Sequence, residues 1–600
     1  MRVSELTKPS KLQKNPCSLM IAFALALESG VAAAQTVLPA DAKQSCTVTK
    51  KEFKSWFGSN GSVVPPNSVD FPANEANDCT FFKSAEHMFL WVTSQPSRGS
   101  SSSYVFDSSP FYGVSPPDQD KKRRLIAQDR SNFDQRKGAT LAISQRGPEG
   151  EPVLFADTGV MHKIVQAEVY RREEQSISKI EIGRIDIEEG KVPLFYDKQG
   201  KPIENPILRH IASGQGIEIK PPPGNTILSS NGQRFFLDVS GRAVAAQPGQ
   251  ADDHVLMAQG DRLVNYMIHV NDVYAYFLTG TRNHKLDLKV FPTSRPELNL
   301  IKKYARDHGL AFFPDERALV VELKSSWIEL ADEKDYANYI SIKADVPKFN
   351  MLSDGHWHQI GWRQGVKLAM VGMHVAFSVK GHPELIWATF EHINNTPNAR
   401  YRYETKQDQP WSRQNCGTWL FSSGHAEPDD HPNSCYGTSV DACAIRQTVD
   451  AAGHCVGANH PRMHMDGSDI RPYQNDTIGA SDILRINPWG NSEFRAPFNA
   501  KIISINNSIR GHLTKDDVRK NYIMVGATWL ATLSSPGSVG NDCTQNDTKG
   551  SNCLANSTIE TFQQPSNCLN CHHRNPEDML GRVSHVYWSL YPLFPDPPNP

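Results

Sequence analysis

Apolar positions along the chain follow two different periods. Phe81, Ala85, Met88, Phe89 and Val92 recur at helical spacing, which predicts an amphipathic helix over 78–93. From about 126 to 400 the dominant period is two. Val264, Tyr266, Ile268 and Val270 alternate with polar neighbours, and 318–327 is another β-rich run. In 367–379, Ala369, Val371, Met373, Val375, Phe377 and Val379 share one apolar face, which turns His374 to the other. A short helix is expected over 296–308, and Pro221-Pro222-Pro223-Gly224 breaks the region, as between two sheets. Residues 401–560 lose both periods. They are rich in Asn, Asp, Ser and Gly and hold six cysteines, which predicts long loops held by disulfides rather than by a core.

Six hundred residues exceed what one core organises, so several domains are expected. A net charge of -2 offers no electrostatic case for nucleic acid or an anionic membrane. Arg2, Lys8, Lys11 and Lys14 precede an apolar run from Leu19 to Leu27, and Ala32-Ala33-Ala34 forms a small-residue cleavage site before Gln35. The run is too short to span a bilayer, so 1–34 reads as a removable signal peptide, with no transmembrane segment after its removal.

Chemistry concentrates near the C-terminus, in Cys568-Leu569-Asn570-Cys571-His572. This is the C-x-x-C-H spacing of covalent c-type haem attachment. Each thiol can form a thioether to one vinyl group, and the adjacent imidazole then reaches the iron. A redox disulfide lacks the βαβ context, and a zinc site lacks a second C-x-x-C. One covalent haem is therefore expected, on Cys568, Cys571 and His572. Setting these cysteines and Cys17 aside leaves eight of eleven, an even number that suits an oxidising compartment. Cys46/Cys79 and Cys543/Cys553 are the first pairings to expect. Export and covalent haem together point to a bacterial periplasm.

Only 28 residues follow His572, so earlier parts of the chain must cover much of the haem. For the far axial position His585 is favoured and Met579 is the nearby alternative, with a more distant ligand or an open position also left standing. A continuous helix would separate His572 and His585 by ~19 Å along its axis, so a chain reversal is required. Asn575-Pro576 and Gly581 supply the breakers.

The resulting expectation is an α+β fold. A signal peptide (1–34) is followed by an N-terminal helical segment (35–95) and a linker (96–125), which ends in the solvated basic run Lys121–Arg124. A β-rich body (126–400), a loop-rich disulfide region (401–560) and a short C-terminal c-type haem segment with a Pro-rich tail (561–600) complete the chain. Other constellations read more simply as structural: His87 and Met88 on the predicted helix, His356 and His358 around Trp357, and Glu391-His392 at a sheet end. His454, Cys455, His460 and His464 have metal-like spacing in a disulfide region. The motifs of serine hydrolases, zinc proteases and nucleotide-binding loops are absent.

The segments 85–91, 264–283, 372–374 and 387–392, with 567–572 and Ser584-His585, carry a further signal. Through them the chain resembles a family of exported bacterial proteins labelled cytochrome c family proteins. The resemblance implies one covalent haem at Cys568, Cys571 and His572, draws attention to His585, and implies no substrate. Three functions are then expected in order: single-electron transfer with an unknown redox partner protein, a haem-dependent oxidoreductase or small-ligand sensor with an open iron, and a binding module with a structural haem.

Overall fold

The computed structural model describes most of residues 38–127, 194–208, 254–408, 495–531 and 548–593, and scattered strands and turns within 128–253 and 409–494. Residues 1–34, read above as a signal peptide, and Cys543, His454 and His460 lie outside the described residues. The fold is α+β and β-rich, built on a twelve-stranded antiparallel sheet.

Eight strands position the C-terminal segment: β1 (Phe111–Val114), β2 (Asn265–Asn271), β3 (Val321–Ile328), β4 (Ser341–Met351), β5 (Trp357–Val379), β6 (His382–His392), β7 (Tyr522–Leu530) and β8 (Thr548–Gly550). They lie in the order β1-β2-β3-β5-β6-β7-β8, and β4 pairs with the first half of β5. Six helices matter here: α1 (Asp78–Val92), α2 (Asp272–Arg282), α3 (Arg295–Asp307), α4 (Ala496–His512), α5 (Cys568–Cys571) and α6 (Met579–Val583).

The period-two pattern decides which face each side chain takes. Met373, Val375 and Phe377 of β5 join Ile386, Ala388 and Phe390 of β6 on one face, under α1 and α4. There Phe81 stacks on Trp529 at 4.0 Å and Phe89 on Phe390 at 4.1 Å. Met88 and its helix neighbours are core, as their spacing implied. Asn77 starts α1 with a capping box to Thr80, and the Cys46–Cys79 disulfide ties the preceding segment to the first helical turn. The opposite face carries Ala376 and Trp387, covered by α2, α3 and the segment holding α5 and α6.

Helices α1 and α3 and strands β2, β3 and β5 follow the hydrophobic pattern to within a few residues, β5 extending further towards its N-terminus. Elsewhere the structure departs from it. Residues 495–530, inside the stretch read as loops, form α4 and the fully buried β7. The Asn content that suggested a loop has a structural use here. Asn506 bonds both the N–H and the carbonyl of Met524 at 2.7 and 2.8 Å, joining helix to strand. The presumed linker contributes β1 to the main sheet. Its basic run is not merely solvated: Arg123 N–H donates to the Ser589 carbonyl at 2.7 Å, and Lys122 Nζ to the Trp588 carbonyl at 2.8 Å. Cys553 is disulfide-bonded to a partner outside the described residues.

Candidate C-terminal thiol and histidine site

The short helix α5 is set by Asn567. Its side-chain oxygen accepts from Leu569 N–H at 2.9 Å, while its amide donates to the Ser551 carbonyl at 2.8 Å. Leu569 is buried in the second core, so the turn is pinned at both its cap and its apolar side chain. This places Cys568 and Cys571 three residues apart on one helical turn, on neighbouring positions of its surface. Neither cysteine is in a disulfide; Cys568 is half-buried and Cys571 exposed. Burial first, then the nearby Glu560 and Cys571, push the Cys568 thiol well up.

His572 follows directly. Its Nδ1 lies 2.9 Å from the Val583 carbonyl and must donate to it, since a carbonyl only accepts. That bond leaves the lone pair of the neutral ring on Nε2. The ring stacks on Trp387 at 3.9 Å and on His585 at 4.1 Å, with interplanar angles of 26° and 21°. Two partners at such distances must occupy opposite faces of the imidazole. Desolvation first, then the neighbouring His585, hold its pKa well below the ordinary histidine range.

The chain reverses between the two histidines. Asp578 caps α6 by accepting from Gly581 N–H at 3.0 Å, and its carboxylate also accepts from Trp588 Nε1 at 2.6 Å. Trp588 packs directly over Gly581, where any Cβ would collide with the indole. His585 thereby returns to the His572 ring, and its Nε2 donates to the Cys571 carbonyl at 3.1 Å. A ring stacked face to face on His572 does not point end-on at its Nε2. Met579 is half-buried as the first residue of α6.

Beneath this segment the sheet presents two rows of side chains. Glu322, Ala376 and Trp387 lie side by side across β3, β5 and β6, and Lys324, His374 and Thr389 form the next row. His374 Nε2 sits 2.7 and 2.6 Å from the two oxygens of Glu560. Burial pushes Glu560 up, but His374 and Lys324 more than offset it and the carboxyl lies below its usual range. Glu322 is the reverse case: burial raises it to about 7 against the opposing Ser584 hydrogen bond and Lys324. Ser584 Oγ also meets the Tyr274 hydroxyl at 2.7 Å, linking the His585 turn to α2.

The remaining sequence candidates fall away from the thiols. His87 stacks on Trp56 at 4.6 Å and bonds the Val64 carbonyl on the α1 side of the sheet. His392 has both ring nitrogens engaged, donating to the Asn338 carbonyl and accepting from Asn394 N–H, and burial lowers its pKa to about 3. His358 pairs with Asp469 at 3.0 Å and His356 with Asp354, both at the protein surface. His464 packs against Tyr473. Among the described residues no cluster of three or more His, Cys, Asp or Glu side chains could hold a metal ion. In the sequence His374 stood out by the face it takes on its strand and as part of 372–374, and Trp387 only as part of 387–392. Sequence reasoning missed Glu560, Lys324 and Glu322, which carry no local motif. Compared with known proteins, the chain matches no family model, no curated protein and no solved structure.

Proposed function

We propose that the chain is an exported monohaem c-type cytochrome that passes single electrons to a partner protein. The observation that carries this reading is the state of the C-x-x-C-H turn. Its two cysteines lie on one helical turn outside any disulfide, and the next residue is a histidine whose Nδ1–H is fixed on a carbonyl, leaving Nε2 available as a ligand atom. These residues fit a covalent haem: Cys568 and Cys571 would hold it through thioethers, and His572 would supply an imidazole nitrogen to the iron. When bound, the haem supplies a one-electron Fe(III)/Fe(II) couple.

The chain's own residues do the rest. Trp387 and His585 fix the plane of the His572 ring, and Val583 fixes its tautomer. Exposed Cys571 puts one attachment point at the surface, where electrons can pass to a docked protein. The Cys46–Cys79 disulfide is compatible with an oxidising compartment, and among the described residues no helix is long and apolar enough to cross a membrane. Export to a periplasm accommodates both facts.

The reading is tested by producing the full chain with its leader in a host carrying the c-type maturation machinery. A haem stain that survives denaturing electrophoresis, and disappears in Cys568→Ala/Cys571→Ala, is the expected result. A chain without stain under conditions that mature a control cytochrome would overturn it.

A further inference from the structure

Resting on that haem reading, we propose that His374, oriented by Glu560, is the second protein ligand of the iron, and that His585 is a positioning residue beside His572.

The case begins with His374 itself. It is 6 % exposed, and its Nδ1 is buried with no hydrogen-bond partner. Its Nε2 is committed to the Glu560 carboxylate. Protonated, Nδ1 is a donor without an acceptor; in the neutral form, the one that can bind a metal, it is an acceptor without a donor, and in both it is a buried polar atom with no partner. Such atoms are rare because they forfeit their hydration without replacement. A histidine whose other nitrogen donates to a carboxylate is also the usual arrangement of a metal ligand, since the carboxylate fixes the tautomer and raises the basicity of the free nitrogen.

Position supplies the second strand of the argument. Register pairs His374 with Thr389 and Ala376 with Trp387, so His374 and Trp387 are diagonal neighbours on one face of the sheet. Such neighbours lie about 7–8 Å apart, within reach of long side chains. His572 is stacked on that same Trp387. Between them on β5 is only the small side chain of Ala376.

His585 is committed differently. Its Nε2 donates to the last carbonyl of α5, and its ring lies flat against His572. Two imidazoles on opposite sides of one iron point at it end-on, whereas a ring stacked on the near ligand shares that ligand's side. His585 therefore braces the near imidazole and closes the C-terminal end of α5.

The test is electron paramagnetic resonance and visible spectroscopy of the matured ferric protein and its variants. Wild type is expected to be low-spin. His374→Gly should become high-spin and return to low-spin on adding imidazole, while His585→Ala should stay low-spin. Should the glycine variant fail to fold, His374→Met keeps a ligand and should show a sulfur-to-iron charge-transfer band. A high-spin wild type, an unchanged low-spin His374→Gly, a His374→Met without that band, or a high-spin His585→Ala would each overturn the proposal. Absence of haem from every variant and from wild type would instead remove the reading on which it rests.

Discussion

Arg485 reaches Glu391 with two nitrogens, at 3.1 and 2.7 Å, and both side chains are almost fully buried. Ser557 donates to the same carboxylate from its backbone at 2.8 Å and from its hydroxyl. Removing one member of such a pair strands a charge in low dielectric. Arg485→Met should therefore lower unfolding stability by about 3–5 kcal/mol. Chemical denaturation would measure it, and a loss below about 1 kcal/mol would show that the pair is not held as described. In the sequence Glu391 and His392 read as polar groups satisfied at a sheet end. Their partners were not legible, because Arg485 and Ser557 lie 94 and 166 residues further along the chain. The C-x-x-C-H turn was legible for the opposite reason, since its chemistry is written in five consecutive residues. The setting of His572 between Trp387 and His585 joins three separate segments and could not be read from any one of them.

Between residues and whole elements, the 548–563 segment lies flush on the sheet because the strands beneath it carry glycine. A Cβ at Gly372 would meet Thr558 Oγ1 at 2.5 Å and Ser326 Oγ at 2.7 Å, and one at Gly526 would strike Ser551. Gly372→Ala should cost about 1–3 kcal/mol by forcing this segment outward. Unchanged stability, measured by thermal or denaturant unfolding, would mean that the segment is not seated there. Breaking the Cys46–Cys79 disulfide frees a loop with a sequence separation of 33. By loop-closure entropy, Cys46→Ala/Cys79→Ala should lose about 3–4 kcal/mol. No loss under non-reducing conditions would contradict the constraint. Periodic elements were legible at this scale: α3 buries one regular face, and α1 and β5 carry a regular apolar period in their sequences. Helix α4 was hidden by its polar residues, which are buried through specific bonds such as Asn506 to Met524. Strand β7 was hidden because it is apolar on both faces and so shows no alternation.

Across the whole molecule one sheet joins the two ends of the described chain, α1 on one face and the thiol segment on the other. Its buried titratable groups pull stability in opposite directions. Burial raises Glu86 to about 8, and burial, against Ser584 and Lys324, raises Glu322 to about 7. What they contribute is fully present below their unfolded values near 4.5 and is lost as pH rises through 7–8. Burial lowers His87 to about 4 and His392 to about 3, so their contribution is present above about 6.5 and is lost as pH falls. From these four groups alone, stability should be highest between about pH 4.5 and 6.5. A denaturation midpoint that keeps rising to pH 9 would contradict this.

Intact-mass measurement of the secreted, matured chain, unfolded and washed free of anything held non-covalently, tests the central claim most directly. The account predicts the polypeptide plus a single haem, located by fragmentation on Cys568 and Cys571. A mass equal to polypeptide alone, with those two thiols free or joined to each other, would contradict it.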